Sequence, residues 1–208
     1  MKKSLLLLAI VLISITTSNI QAQAFDKGTK LITVALGPSA MEHFTTGNNP
    51  FNAYGFFTGQ THYIDISGEL IAQGEFGIHK YVGVGVVVGI GGKAVNHEFN
   101  MPIGVLANFH FFQLIADRRG LELGNKLDVY GGITVGSGFA VHPYNDGFNR
   151  TWSGALFYLG PHAGVNYYFA NNIAVHGEVG WGATVFQAGI TFKLGGGKGG
   201  VATKGGKK

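Results

Sequence analysis

Between Gly28 and Leu194, apolar and polar residues alternate with a period of two, not 3.6, in segment after segment. That period belongs to strands whose two faces meet different media. The run Val82–Gly92, VGVGVVVGIGG, is the sharpest case. Every second residue from Val82 to Ile90 is β-branched, and those between are Gly83, Gly85, Val87 and Gly89. The pattern predicts eight strands, at about Lys30–Pro38, Ile64–Ile78, Val82–Gly92, Phe99–Phe112, Leu127–Ala140, Gly154–Phe169, Ile173–Gly182 and Ala183–Leu194. Most exceed the five or six residues usual in globular sheets, and about 9–11 residues of tilted strand cross a bilayer.

Parity separates the two faces. One collects Leu70, Phe76 and Ile78; Val82 through Ile90 at alternate positions; Met101, Ile103, Val105, Phe109 and Phe111; Val129, Ile133 and Val135; Phe157, Leu159 and Val165; Val175, Val179, Phe186, Ile190 and Phe192. From the second strand to the eighth this face carries no charge. The opposite face holds Glu69, Gln73, Glu75, Asn108, His110, Asp128, Tyr130, Thr134, Tyr158, His162, Asn166, His176, Glu178, Gln187, Thr191 and Lys193, with glycines between them.

A soluble sandwich turns its polar face to water, where glycines only weaken the strands. Lipid inverts the arrangement. The apolar face meets acyl chains, where a Lys or Arg at the midplane costs roughly 2–4 kcal/mol, and the unmet backbone groups of an open edge favour closure. The polar face then fills a lumen only just wide enough for side chains, and glycines make room for Tyr130 and Tyr158. The expected fold is all-β, a closed eight-stranded antiparallel transmembrane β-barrel over residues 25–194. Aromatics near the strand ends, including Phe76, Tyr81, Tyr167 and Phe169 at one end and Phe99, Phe139, Trp152 and Trp181 at the other, suit two interfacial girdles. Pro161, inside the sixth strand, calls for a bulge.

Composition narrows the function. Of 208 residues, 35 are glycine and none is cysteine, which excludes disulfides, thiolate metal sites and a lipid-modified N-terminal cysteine. Gly83, Gly85 and Gly89 miss the dinucleotide-loop spacing, and Lys198 lacks the Ser or Thr of a phosphate loop. Lys2 and Lys3, the apolar Leu5–Ile15 and Ala22-Gln-Ala24 read as a cleaved export signal over residues 1–24, with a cut after Ala22 equally acceptable. The formal charge of +4 includes those two lysines, so nothing argues for nucleic acid. Residues 195–208, Gly- and Lys-rich, read as a flexible tail.

Connections alternate in length. Export with the N-terminus on the inner side places Ser39–Tyr63, Ala94–Glu98, Val141–Ser153 and the last hairpin outside, and tight turns near Lys80 and Asn171 inside. Gln113–Lys126 breaks the rule of short inner turns and has room for one helical turn. Ser39–Tyr63 is rich in aromatics and is expected to fold over the mouth or meet a surface partner.

The last strand reads Gln187-Ala-Gly-Ile-Thr-Phe-Lys-Leu194. Gln187, Gly189, Phe192 and Leu194 resemble the C-terminal insertion signal of bacterial outer-membrane barrels. With Val165–Asn172 and Gly177–Gly182, the chain from about Thr29 to Leu194 is similar to the small porin-like outer-membrane β-barrel family. The resemblance implies outer-membrane lipid as surroundings and the barrel-assembly machinery as a partner during insertion. Two departures stand out: the family signal ends its chain, and its last residue is usually aromatic.

The candidate site is the lumen set Glu69, Gln73, Glu75, His110, Asp128, Tyr130, Tyr158, His162, His176, Glu178 and Lys193. Buried carboxylates and histidines serve acid–base chemistry or bind metals, but they also satisfy one another as a polar plug. Ser137 and Ser153 have no His at short spacing. The expected role is structural or surface interaction with a plugged lumen, with no cofactor, metal or catalytic residue. A narrow channel or ligand pathway, cation-preferring because acids outnumber Lys193, is the alternative, and a lipid-modifying enzyme a more distant one.

Overall fold

A computed structural model describes residues 23–38, 68–93, 98–144 and 150–195. Eight strands appear in order: β1 (Lys30–Pro38), β2 (Gly68–His79), β3 (Val82–Lys93), β4 (Glu98–Phe109), β5 (Leu127–Tyr144), β6 (Arg150–Ala170), β7 (Ile173–Gly180) and β8 (Phe186–Lys193). Each pairs antiparallel with the next, and β8 pairs with β1 to close the barrel. Closure leaves neither end of the sheet as a free edge along its paired length. Residues 1–22 of the expected export signal, residues 39–67 (the expected loop Ser39–Tyr63 and the first residues of the expected second strand), residues 94–97 and 145–149, and the expected tail from residue 196 lie outside the described residues, whereas Gln23 and Ala24, the last two residues of the expected signal, are described.

The charge-free face points outward. Val86 and Val135 are about half exposed and Phe157 is 83% exposed. An exposed aliphatic belt of this extent around a closed barrel fits hydrocarbon and not water. The barrel is a transmembrane one. Inside, Tyr130 and Tyr158 lie where Gly164 and Gly136 leave space, and a Cβ on either glycine would meet the facing ring.

Several boundaries differ from the sequence reading. β4 stops at Phe109, so Phe111 and Phe112 leave the strand and begin helix α1 (Phe111–Arg119), followed by a 3-10 turn at Glu122–Asn125. The connection expected to hold one helical turn therefore holds more than two. α1 ends at Gly120, whose φ of 63° is the left-handed cap that glycine adopts without strain, with Arg118 and Arg119 in the last turn. β7 ends at Gly180, and Trp181 to Val185 form the connection to β8.

Pro161 needs no bulge. The β5–β6 register runs through Ile133↔Pro161 unbroken. On the other side, the β6–β7 pairs begin at His162↔Gly180, and the Pro161 carbonyl accepts from Trp181 N at 2.9 Å. Amide and carbonyl of one strand residue point the same way, so the missing donor falls at the last rung of that ladder. The register shifts lie at Gly77/His79 and Tyr168/Ala170 instead, beside the tight turns.

The barrel end that carries residues 79–81, 110–126 and 171–172 is the turn end; the opposite one is the loop end. Residues 23–29 cross the turn end. Gly28 N donates to Gly77 O on β2, while Ala24 N donates to Gly124 O between β4 and β5. This strap spans the mouth from the β1–β2 side to the β4–β5 side, and it seats Ala24 and Phe25 without exposure.

Candidate functional site

Inward parity delivers the polar side chains to the lumen, and strand register decides which of them meet. His110 follows β4 directly and starts α1 without capping it, because its ring is engaged elsewhere. Nδ1 lies 2.8 Å from Asp128 Oδ1 and Nε2 lies 2.8 Å from Glu75 Oε1. An ionised carboxylate only accepts, so both ring nitrogens carry hydrogen and His110 is an imidazolium between two acids. Phe25 of the strap stacks on this ring at 3.4 Å and 10°.

The remaining oxygens of the two acids are taken as well. Asn108 Nδ2 donates to Glu75 Oε2 at 2.9 Å, and Asn166 Nδ2 to Asp128 Oδ2 at 3.2 Å. Those amide orientations set two further histidines. His162 Nε2–H donates to Asn108 Oδ1 at 2.7 Å, and its Nδ1 accepts from Thr134 at 3.1 Å. His176 Nδ1–H donates to Asn166 Oδ1 at 2.9 Å. His162 has a partner on each ring nitrogen, whereas His176 Nε2 is buried without one. Thr191 also donates to Asn166 Oδ1 and lies 2.7 Å from Thr33.

Glu178 anchors a second group. It accepts from Tyr130 OH at 2.7 Å, Gln187 Nε2 at 2.9 Å and Gln73 Nε2 at 3.4 Å. Lys193 stands apart from these acids. Its Nζ donates to Gln23 O of the strap at 3.0 Å and lies 5.1 Å from the Tyr168 ring centre. Nearer the loop end, Ile71, Val87, Leu106 and Ala183 form a small apolar cluster inside the lumen. Glu69 and Tyr158 are buried in that half.

Parity puts Ile71, Val87 and Leu106 inside, yet an apolar residue on a polar face carries no sequence signal of its own. The strap was equally invisible, since it precedes the first periodic segment. Of the residues expected to form an insertion signal, Gln187 points inward to Glu178 and Gly189 packs against Val34 and Ala35, whereas Phe192 and Leu194 face outward.

The chemistry open to this arrangement is limited. Among the described residues no group of three or more His, Asp and Glu is placed to hold a metal ion, and the His110 nitrogens have no lone pair free to ligate. Ser137 sits in the ladder opposite Phe157 and Ile103. Outside the lumen, Asp117 of α1 receives Lys80 Nζ at 2.8 Å and Tyr81 OH at 2.9 Å from the β2–β3 turn. The hydrogen bond to Asp117 holds the Lys80 ammonium above its ordinary pKa.

No protein-family model and no curated protein matches this chain. Solved structures do. The N-terminal β-barrel domain of Pseudomonas aeruginosa OprF is similar at a TM-score of 0.51 and 12% identity, covering 81% of this chain and 98% of that one. The outer membrane protein OprG from the same organism gives 0.46 and 10%, covering 85% and 99%. Ail, the attachment invasion locus protein of Yersinia pestis, gives 0.42 and 12%, covering 80% and 95%. At such identity the likeness to OprF is one of fold, the small outer-membrane β-barrel.

Proposed function

We propose that the chain is an exported outer-membrane barrel whose lumen is closed by its own side chains and whose role is structural or surface interaction. One observation carries the closure: bonds among Gln73, Glu75, Asn108, His110, Asp128, Tyr130, Asn166, Glu178 and Gln187 tie β2, β4, β5, β6, β7 and β8 to one another across the interior. The strap adds a second seal at the turn end. A continuous water path would have to break several bonds to charged groups, each worth about 1.5–3 kcal/mol.

Export through a cleaved leader places the turn end in the periplasm and the loop end outside the cell. Gln187, Gly189, Phe192 and Leu194 serve as the mark read by the insertion machinery, and Ser39–Tyr63 is the segment available to a surface partner. The lumen is a scaffold, not a catalytic site.

Planar-bilayer recording tests this reading. The refolded barrel is expected to insert and remain electrically silent. Stable, discrete conductance steps from the pure protein overturn the plug in favour of a narrow channel.

A further inference from the structure

The connection of residues 110–126 is too long for an inner turn of a small barrel, and the plug explains only part of it. Registers show where it sits. Phe109 at the end of β4 pairs with Gly131, so β4 stops four residues short of the start of β5 at Leu127. α1 packs into that step in the wall. Gln113 and Ala116 are buried, and Gln113 Nε2 donates at 2.9 Å to Leu127 O, the carbonyl a longer β4 would have met.

The helix therefore replaces a piece of barrel wall, and what it exposes continues the barrel's outer surface. Phe111 and Ile115 share one face at i, i+4 spacing and are 38% and 43% exposed; Leu121 and Leu123 follow at 42% and 48%. Beside them are the exposed Phe109 of β4 and Tyr167 and Phe169 of β6. Basic groups flank these apolar ones. Arg118, Arg119 and Lys126 are exposed and have no ion-pair partner among the described residues, whereas Asp117 is occupied by Lys80. Glu122 is the one acid left in the segment.

We infer that residues 111–126 form a phospholipid-binding surface in the headgroup layer at the turn end, with Ile115, Leu121 and Leu123 dipping below the headgroups and Arg118, Arg119 and Lys126 holding anionic headgroup phosphates. An apolar face bordered by Arg and Lys is the chemistry of an interfacial segment, and basic side chains at that depth attract anionic lipid. The inference rests on the barrel spanning a membrane.

The absence of cysteine permits a clean test. Single variants Ile115→Cys, Leu123→Cys, Val86→Cys and Lys27→Cys carry an environment-sensitive fluorophore in vesicles of phosphatidylcholine with or without phosphatidylglycerol. All four replace exposed side chains, so the barrel tolerates them. Labels at Ile115 and Leu123 are expected to emit to the blue of Lys27 and to be quenched by lipid-borne nitroxides, as Val86 is. Water-like emission at both, with Val86 still in lipid, overturns the inference and leaves the barrel intact; water-like emission at Val86 overturns the barrel reading itself. In a second arm, Arg118→Gln with Arg119→Gln is expected to lower the association of spin-labelled phosphatidylglycerol about thirtyfold, roughly fivefold for each arginine removed. An unchanged preference for that lipid overturns the assignment of the arginines to headgroups.

Discussion

Tyr130 on β5 reaches Glu178 on β7 by passing over the strand between them, its hydroxyl donating to Glu178 Oε2 at 2.7 Å. Tyr130, Gly164 and Glu178 stand in one row, because Tyr130 pairs with Gly164 and Gly164 with Glu178. The crossing is possible only because Gly164 has no side chain; a Cβ there would meet the tyrosine ring. Gly164→Ala should therefore destabilise the barrel by roughly 1–3 kcal/mol through overpacking. Tyr130→Phe should cost about 1.5–3 kcal/mol by leaving a carboxylate short of a donor. Urea unfolding in lipid vesicles measures both. If displacement of the ring is the mechanism, Gly164→Ala becomes nearly neutral in a Tyr130→Ala background; equal costs in the two backgrounds refute it.

His110 is the cation between two acids, so its loss leaves two buried like charges without the group that separates them. His110→Leu should cost about 3–5 kcal/mol, the usual result of breaking a buried ion pair from one side. Adding Glu75→Gln and Asp128→Asn should restore much of the stability, since the charges that lacked a partner are gone. A triple variant no more stable than His110→Leu would mean that ring packing against Phe25, not charge, is what His110 supplies.

What could be read beforehand follows from how each feature is encoded. β1 is legible because its short aliphatic and β-branched run Leu31–Leu36 is bounded by Lys30 and the Gly37-Pro38 pair. The end of β4 is not, because Phe111 and Phe112 continue its apolar run although the chain has already turned into α1. Parity assigns Glu75, His110 and Asp128 to one side of the wall, but their meeting depends on registers that no local pattern records. Pro161 misled for a related reason: its tolerance comes from the length of β7, a partner strand whose end cannot be seen from β6.

Under the proposed export, the strap makes the point at which the leader is cut consequential. A chain that starts at Gln23 keeps the Ala24 N bond to Gly124 O and the Lys193 bond to Gln23 O, both 3.0 Å, and the Gln23 side-chain bond to Asp117 at 2.6 Å. A chain that starts at Phe25 loses all three and places its ammonium in a mouth that already holds Lys193 and the His110 imidazolium. At about 1 kcal/mol for each bond, the shorter form should be less stable by roughly 2–3 kcal/mol. Refolding both versions and comparing the temperature at which heat shifts their gel mobility gives the difference. Equal temperatures would show that the strap does not hold the turn end closed.

The outer face offers the plainest test of the surrounding medium. Val86 is 55% exposed, and its neighbours across the ladder are Gly74 and Val105, with no acid within that row on the same face. In water an exposed Val86→Lys on a strand would change stability by about 0.5 kcal/mol or less. In hydrocarbon near the midplane the same change costs roughly 2–4 kcal/mol, falling to 0–1 kcal/mol close to the interfaces. Val82→Lys, near the turn end of the same strand, is the matching control. Unfolding in vesicles should show a penalty for Val86→Lys well above that for Val82→Lys. Equal and small penalties would mean that the belt meets water, and the transmembrane assignment would fall with it.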